Sequence, residues 1–300
     1  VKPTDVSILE QSTGFRYNAA DTYRDRNDQD RYAQRFSVSY VTGSHAIKFA
    51  IQLQQMVHNQ LDIVNSDGRN AACSDCPVKY VFNRGVPTRI EMWATPYLVK
   101  HRTKADLGLY VQDQWSVKRM TVNYGLRFDY FNGYVPPQRV DAGAYIGARD
   151  FAKVTSVPEW TDLNPRLGVS YDLFGTGRTA FKTSFGRYVG RETTVYARGN
   201  NPIATSVNNV NRAWNDANGN YVPDCNLRNF DANGECGAID NVNFGKLNPS
   251  AVRFSDDLIR GFGNRDYFWD YAAEVQHQLA AGISLKGGYY RNWSDHFGSF

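Results

Sequence analysis

The 300-residue sequence lacks any apolar run of about 18 residues, the length at which a stretch predicts a transmembrane helix. Its mean hydropathy is −0.54. These two features exclude a helical membrane protein. They do not exclude a β-barrel, because its strands place every second residue on a polar interior and its loops are hydrated.

The sequence also has no large excess of positive or negative charge. The 34 basic and 30 acidic residues leave a net charge of only +4, and no basic run of five or more residues occurs. Nucleic-acid-binding proteins usually carry a concentrated basic patch. We therefore expect no nucleic-acid partner.

Cysteine is rare, and the four cysteines form two local pairs, Cys73 with Cys76 and Cys225 with Cys236. Local pairing in a cysteine-poor chain is typical of an oxidising compartment such as the periplasm or cell surface. Cys73 and Cys76 also form a CxxC motif, but neither a βαβ context nor the second half of a zinc site accompanies it. We expect both pairs to be structural loop disulfides.

Catalytic signatures are missing as well. The sequence has no Gly-x-Ser-x-Gly, no His-Glu-x-x-His and no phosphate-binding loop. Its five histidines are scattered outside any recognisable ligand spacing: His45, His58, His101, His277 and His296. We expect that the protein is not an enzyme.

Aromatic residues, by contrast, are abundant, with 19 Tyr and 17 Phe. Aromatic girdles at the two interfaces of a membrane barrel would use them. A Tyr-rich soluble, secreted glycan-binding β-sandwich is the alternative.

Ala105 to Phe131 predicts two long amphipathic strands joined by a turn of about two residues. In the second strand the apolar face carries Met120, Val122, Tyr124, Leu126, Phe128 and Tyr130, and Thr121, Asn123, Gly125, Arg127 and Asp129 lie on the other. Each strand exceeds the 9 to 11 residues, roughly, that a tilted strand needs to cross a bilayer.

The same hairpin unit recurs around the turns at 42–44, 175–177 and 280–282, which makes four hairpins and about eight strands. The predicted connections between hairpins are long, at about 58–104, 132–162 and 191–268. Within the first of them, Val78 to Phe82 and Thr88 to Trp93 predict a further hairpin or strand extensions. Alternating short turns and long polar loops are typical of an outer-membrane barrel. The predicted fold class is thus all-β, an antiparallel transmembrane β-barrel segment of about 8 to 10 strands.

Charged residues recur on the predicted lumen-facing side of these strands. They are Arg127, Asp129, Arg166, Asp172, Lys182 and Glu274. Such side chains either contact a plug or a passing solute, or pair across strands inside a wet barrel. We favour cross-strand pairing.

The third long loop carries a candidate calcium site. Asp216, Asn218, Asn220 and Asp224 have the spacing of oxygen ligands in Ca²⁺ loops, and Asp231, Asn233 and Glu235 are available to complete the site. The pattern departs from an EF-hand, since Leu227 stands where the bidentate Glu belongs. The alternative is a pair of Asx-Gly turns that need no metal. No other cofactor is expected.

Several strands resemble those of TonB-dependent outer-membrane receptors. Tyr110-x-Gln112-Asp113-x-Trp115 followed by Gly125-x-Arg127-Phe128-Asp129 resembles a central hairpin of that family, Asn164-Pro165-Arg166-x-Gly168 with Gly175-x-Gly177 resembles the next, and Trp269, Glu274 and Gln276 resemble a later one. The loop from Asn215 to Gly237 further resembles the Oar-like subgroup, which carries a carboxypeptidase-like regulatory domain ahead of the barrel.

This resemblance implies a barrel of about 22 strands, a plug domain and a box that engages TonB across the periplasm. The chain begins at Val1 without a signal sequence, so we expect residues 1–300 to be one fragment of a receptor barrel domain that lacks the plug. The resemblance implies uptake of an unknown solute across the outer membrane of a Gram-negative bacterium, with outer-membrane lipid and the TonB complex as partners. A passive barrel or a surface adhesin is the alternative.

Overall fold

Eight long strands form one continuous antiparallel sheet in the computed structural model, which describes residues 2–192, 194–252 and 254–295. The strands, in chain order, are β1 (Ser7–Glu10), β2 (Phe15–Tyr17), β3 (Tyr23–Thr42), β4 (His45–Ile63), β5 (Val78–Asn83), β6 (Val86–Trp93), β7 (Tyr97–Val117), β8 (Met120–Tyr134), β9 (Gln138–Val140), β10 (Arg149–Phe151), β11 (Glu159–Asp172), β12 (Thr179–Val189), β13 (Asn209–Ala213), β14 (Arg260–Phe262), β15 (Tyr267–Ala280) and β16 (Ile283–Asp295). The two helices of the described residues are short, α1 (Val195–Gly199) and α2 (Asp256–Ile259), and neither is long and apolar enough to cross a membrane.

The main sheet has the order β16-β15-β12-β11-β8-β7-β4-β3, with the short β14 paired to β11. Neighbouring long strands pair in antiparallel register, as predicted for four successive hairpins. The order is linear, so among the described residues β3 and β16 are the two edges of an open sheet. The predicted fold class is confirmed: the protein is an antiparallel β-barrel wall that does not close.

The four hairpin turns all lie at one end of this sheet, called here the turn end. The β15–β16 turn uses Gly282 at φ +81° and the β11–β12 turn uses Gly175 at φ +72°, a region that favours glycine. The opposite end, the loop end, carries the long connections.

Side chains alternate between two faces of the sheet. The apolar face exposes large side chains on adjacent strands, among them Phe36, Phe49, Leu109, Val111 and Leu126. Such a broad exposed apolar surface is unusual for a water-soluble protein and typical of a lipid-facing barrel wall. The other face, the polar face, carries the charged and amide side chains described below.

The loop end folds into a unit of its own, called here the cap. Its five-stranded sheet has the order β13-β6-β5-β1-β2. Its core is the largest buried hydrophobic cluster of the described residues, centred on Tyr80, Ile90, Met92 and Trp214. The predicted hairpin at Val78 to Trp93 is therefore present as β5 and β6, and it lies in the cap.

The predicted loop boundaries are wrong at the first connection. β4 runs on to Ile63 and β7 starts at Tyr97, so the connection spans 64–96 rather than 58–104. The reason is a pair of register shifts, between Gln54 and Met56 and between Thr103 and Ala105. A β-bulge breaks the period-two alternation, so the strand continues while its sequence pattern ends.

Candidate functional site: the polar face of the sheet

Two cavities lie along the polar face. The turn-side cavity has a volume of about 430 Å³ and is lined by Arg35, Tyr110, Gln112, Arg127 and Arg166 among others. The loop-side cavity, of about 350 Å³, is lined by Asp106, Asp129, Asn164, Tyr188 and Arg265 among others. Both volumes fall in the range of small-molecule sites.

Glycines on the polar face make room for the larger side chains. At Gly108 a Cβ atom would collide with the guanidinium of Arg127, which lies over this position. At Gly125 a Cβ atom would approach the carbonyl oxygen of Val111 and Cβ of Gln112 to 2.9 Å. Both strands therefore require glycine for the Arg127 side chain and the turn-side cavity to keep their present shape.

A buried polar network forms the wall of the loop-side cavity. Arg127 Nη2 lies 2.8 Å from Asp129 Oδ1, and Asn164 Nδ2 donates to Asp129 Oδ2 at 2.7 Å. Arg187 donates to Asp162 Oδ1 at 2.9 Å and to Asn164 Oδ1 at 2.7 Å. Cross-strand pairing was favoured for Arg127 and Asp129, but the structure pairs them with each other along β8, and the contact across strands comes from Asn164 of β11.

Lys182 and Glu274 also lie near one another, on adjacent strands. Lys182 Nζ is 3.9 Å from Glu274 Oε1, and Lys286 Nζ is 2.6 Å from Glu274 Oε2. Tyr290 donates a further hydrogen bond to Glu274 at 2.9 Å. This arrangement is the cross-strand pairing that we favoured for these residues.

Asp172 is predicted to face the lumen and to pair across strands, but the contacts of its carboxylate lie in the β11–β12 turn. Its carboxylate accepts hydrogen bonds from the backbone N–H groups of Gly175 and Gly177 at 3.0 and 2.9 Å. A short acidic side chain at the start of a tight turn commonly satisfies the turn's backbone in this way. Asp172 is therefore a turn residue.

Both predicted cysteine pairs are disulfide-bonded, and all four cysteines are buried in the cap core. The loop that carries Cys73 is held against the loop that carries Cys225: Asn70 Nδ2 donates to the carbonyl oxygen of Pro223 at 3.0 Å, and Arg228 pairs with Asp75 at 2.6 Å. Each disulfide closes a turn within its own loop, while the hydrogen bond and the ion pair join the two loops, which are 153 residues apart in sequence.

A buried carboxylate anchors the same region of the cap. Asp67 is 2% exposed and accepts hydrogen bonds from Arg69 at 2.7 Å and from the Tyr80 hydroxyl at 2.8 Å. Burial alone would raise the pKa of Asp67, but these bonds outweigh it and hold the pKa below its usual value. Burial and the charge of Asp67 raise the pKa of Tyr80 well above its ordinary value.

The predicted calcium ligands lie in one loop of the cap but are bonded to the protein itself. Asn218 and Asn220 donate to Asp224 Oδ2 at 2.6 and 3.2 Å, and Asp216 Oδ2 accepts from the Tyr221 N–H at 3.1 Å. Asp231 accepts through its backbone carbonyl from Arg212, and Asn233 donates to that same carbonyl.

Glu235 joins the two Asx turns of this loop. Its carboxylate accepts from the backbone N–H groups of Ala217 at 2.8 Å and Asp224 at 3.2 Å. Burial would raise the pKa of Glu235, but these bonds and one from Trp214 lower it. In the part of the chain that the structure describes, Asp216, Asp224 and Glu235 do not converge as a metal-sized cluster of carboxylates. The arrangement resembles the metal-free Asx-Gly alternative, and the Ca²⁺ site stays a prediction.

The histidines make separate polar contacts. His45 Nδ1 lies 2.6 Å from Asp113 Oδ2, His58 Nε2 lies 2.8 Å from Asn27 Oδ1, and His277 Nδ1 lies 2.8 Å from the Thr179 hydroxyl. His101 packs edge-on against the His58 ring. His296 lies outside the described residues.

Sequence reasoning missed several residues that organise these sites. Strand alternation did not identify Arg187 and Asp162, because they meet beyond the last pair of the β11–β12 register, Arg166 with Gly186. Arg212 is 2% exposed and donates to the carbonyl oxygens of Gly237, Asn229 and Asp231 at 2.7 to 3.0 Å. No local signal marks such a residue, because its partners lie 17 to 25 residues away.

A comparison of the sequence with models of protein families agrees with a barrel wall that has one polar and one apolar face. A model described as "Outer membrane beta barrel domain" matches residues 3–299. The chain belongs to this family. The eight long strands form one continuous sheet rather than the two packed sheets of a β-sandwich.

The barrel is similar to one solved structure, an outer membrane transporter, YddB from Escherichia coli, with a TM-score of 0.45 and 12% sequence identity. That similarity covers 92% of this chain and 28% of the YddB chain, so the barrel spans about a quarter of the length of that protein. No curated protein matches the sequence.

Proposed function

We propose that the protein resides in the outer membrane of a Gram-negative bacterium and forms part of a TonB-dependent transporter that takes up a nutrient solute. The observation that carries this proposal is the division of each strand into two faces. One face is broadly apolar and suits outer-membrane lipid, while the other is polar and carries two cavities. A solute that passes along the inner side of this wall would meet the polar face and its cavities.

The TonB-dependent part of the proposal rests on the motifs. Gln112, Asp113 and Trp115 lie on β7, and Gly125, Arg127 and Asp129 lie on the neighbouring β8, where Gly125 is directly opposite Gln112. In this proposal the TonB complex supplies energy through other parts of the transporter, the chain catalyses no reaction, and no nucleic acid is a partner. The Oar-like subgroup is part of the same proposal and rests on the loop from Asn215 to Gly237.

The direct test compares solute depletion from the medium by four strains: the parent, a deletion of this gene, a deletion of TonB, and the gene deletion complemented in trans. We expect at least one nutrient to be depleted only when both genes are present. Depletion that needs this gene but not TonB would instead identify a passive barrel. Identical depletion by all four strains would contradict uptake altogether.

A surface adhesin is the second candidate, because the cap presents exposed aromatic side chains. Phe15 is 65% exposed and Tyr221 is 49% exposed. If adhesion is the function, Phe15→Ser should reduce attachment of cells to a surface, while solute depletion stays unchanged.

A further inference from the structure

We propose that the turn-side cavity binds an anionic group, a carboxylate or a phosphate, through Arg35 and Arg166. The inference rests on the proposed function only for how a solute reaches this cavity. It adds the chemical class of that solute, and it identifies the residues that would recognise it.

Arg166 is positioned by an aromatic ring rather than by an acid. Its Cζ atom lies 4.4 Å from the centre of the Tyr188 ring, a cation–π contact that holds the guanidinium plane in place. Tyr188 is in turn stacked on Phe268, with ring centres 5.3 Å apart. In the described part of the chain Arg166 forms no ion pair with a carboxylate. Its fork of N–H donors therefore stays available to a ligand.

Arg35 lies on the same cavity from β3. Its Nη2 atom donates to the Tyr110 hydroxyl at 3.4 Å, a neutral partner that leaves its charge uncompensated. Arg127 lines the cavity between them and is itself paired, with Asp129 at 2.8 Å and with Gln52 Oε1 at 3.0 Å. Arg127 therefore shapes the cavity, while Arg35 and Arg166 supply its excess positive charge.

The acidic groups near this cavity bond to residues other than Arg35 and Arg166, although Asp113 Oδ1 is buried without a hydrogen-bond partner. Asp129 is 3% exposed and is shared by Arg127 and Asn164. Asp113 also lines the cavity, although the alternation of β7 assigns this position to the apolar face. Its Oδ2 atom lies 2.6 Å from His45 Nδ1 and accepts a hydrogen bond from the Tyr124 hydroxyl at 2.8 Å. The remaining polar lining consists of neutral amides, Gln52, Gln112 and Asn123. Among the described residues the cavity thus combines two guanidinium groups that have no carboxylate partner with neutral hydrogen-bonding groups and one carboxylate, that of Asp113.

These lining groups together favour a negatively charged ligand. Guanidinium groups bind carboxylates and phosphates through two parallel charge-assisted hydrogen bonds. A low-dielectric wall with charge of one sign also concentrates counter-ions of the other sign. Position 125 on β8 has room only for glycine, because a Cβ atom there would collide with β7. No side chain from this position therefore occupies the space in front of the two arginines. A cationic solute would be repelled from the same place.

The test is isothermal titration of the full-length protein in detergent, at low ionic strength, with two probes, succinate and inorganic phosphate. We expect at least one probe to bind to the parent protein. Arg35→Gln and Arg166→Gln should each weaken that binding by about tenfold or more, the loss expected for a charged hydrogen bond. Binding of succinate alone, of phosphate alone or of both assigns the class of anion.

Lys286→Gln is the matched control, since Lys286 lies on the same polar face but is neutralised by Glu274 at 2.6 Å. Its affinity for the probe should equal that of the parent, and Arg166→Lys should retain part of the affinity because it keeps the charge. No binding of either probe to the parent, or equal loss in all three glutamine variants, would overturn the proposal. Binding in detergent requires no TonB, so the outcome is independent of the uptake experiment.

Discussion

Arg187 of β12 and Asp162 of β11 form a buried ion pair, with Arg187 Nη2 2.9 Å from Asp162 Oδ1 and side chains only 9% and 1% exposed. Arg187 also lies over the Tyr267 ring at 4.0 Å. The pair therefore bridges three neighbouring strands where the pairing of β11 with β12 ends.

Replacement of Arg187 by Met should destabilise the folded barrel by about 3–5 kcal/mol, because it leaves the Asp162 carboxylate buried without its cation. Urea unfolding of the protein in detergent measures this change. The double variant Arg187→Met with Asp162→Asn should lose less than the sum of the single variants, by about 0.5–3 kcal/mol. Strict additivity would show that the two residues do not interact.

Loss of the disulfide between Cys225 and Cys236 should destabilise the cap and leave the barrel wall intact. The bond closes a short loop, and removal of such a bond typically costs about 2–4 kcal/mol because the unfolded chain gains freedom. Limited proteolysis of Cys225→Ser/Cys236→Ser should cleave the cap first, while the hairpins stay protected. Simultaneous loss of protection in both regions would contradict separate folding of the cap.

Acid should open the cap through Asp67. The pKa of Asp67 is lowered in the folded protein, so its stabilising effect is complete above the unfolded value of about 3.9 and is lost as the pH falls below it. Hydrogen exchange of the cap between pH 5 and pH 3, roughly, measures this loss. Asp67→Asn should be less stable at neutral pH and should show a weaker dependence on pH in this range. An unchanged pH dependence in Asp67→Asn would assign acid sensitivity to other groups.

Calcium binding by Asp216, Asn218, Asn220 and Asp224 requires these residues to exchange their present hydrogen bonds for metal contacts. If the site exists, titration of the full protein with Ca²⁺ should release or absorb heat, and Asp224→Asn should abolish this signal. The absence of heat at about millimolar calcium, where extracellular sites bind, would remove the prediction. The Asx turns would then be sufficient to shape the loop.

The hairpins of the barrel wall were predictable because each strand alternates apolar and polar residues around a short turn, as Val122, Asn123 and Tyr124 do. The extensions of β4 and β7 beyond the bulges at Gln54 and Thr103 were not, since a bulge inverts the alternation. The cap was predicted only as its β5–β6 hairpin, because β1 and β5 pair in parallel across about 70 residues of sequence.

The polar-face charges were predictable as a set, but their partners were not. Alternation places Arg127, Arg166 and Lys182 on one face, yet whether a guanidinium meets Asp129 or the Tyr188 ring depends on register and strand twist. Strand alternation places Asp172 on the same face. Because Asp172 lies beside a turn, its carboxylate bonds to the backbone of that turn and not to a charged side chain.

The central claim is that the apolar face contacts lipid and the polar face does not. Leu126 lies on the apolar face of β8 and is 42% exposed, and Asn123 lies on the polar face of the same strand. The deciding measurement is the free energy of folding into lipid vesicles for Leu126→Arg and Asn123→Arg. Lipid contact predicts that Leu126→Arg costs about 2–4 kcal/mol near the bilayer midplane and that Asn123→Arg changes stability by less than about 0.5 kcal/mol. Equal effects of the two substitutions would contradict the assignment of the faces.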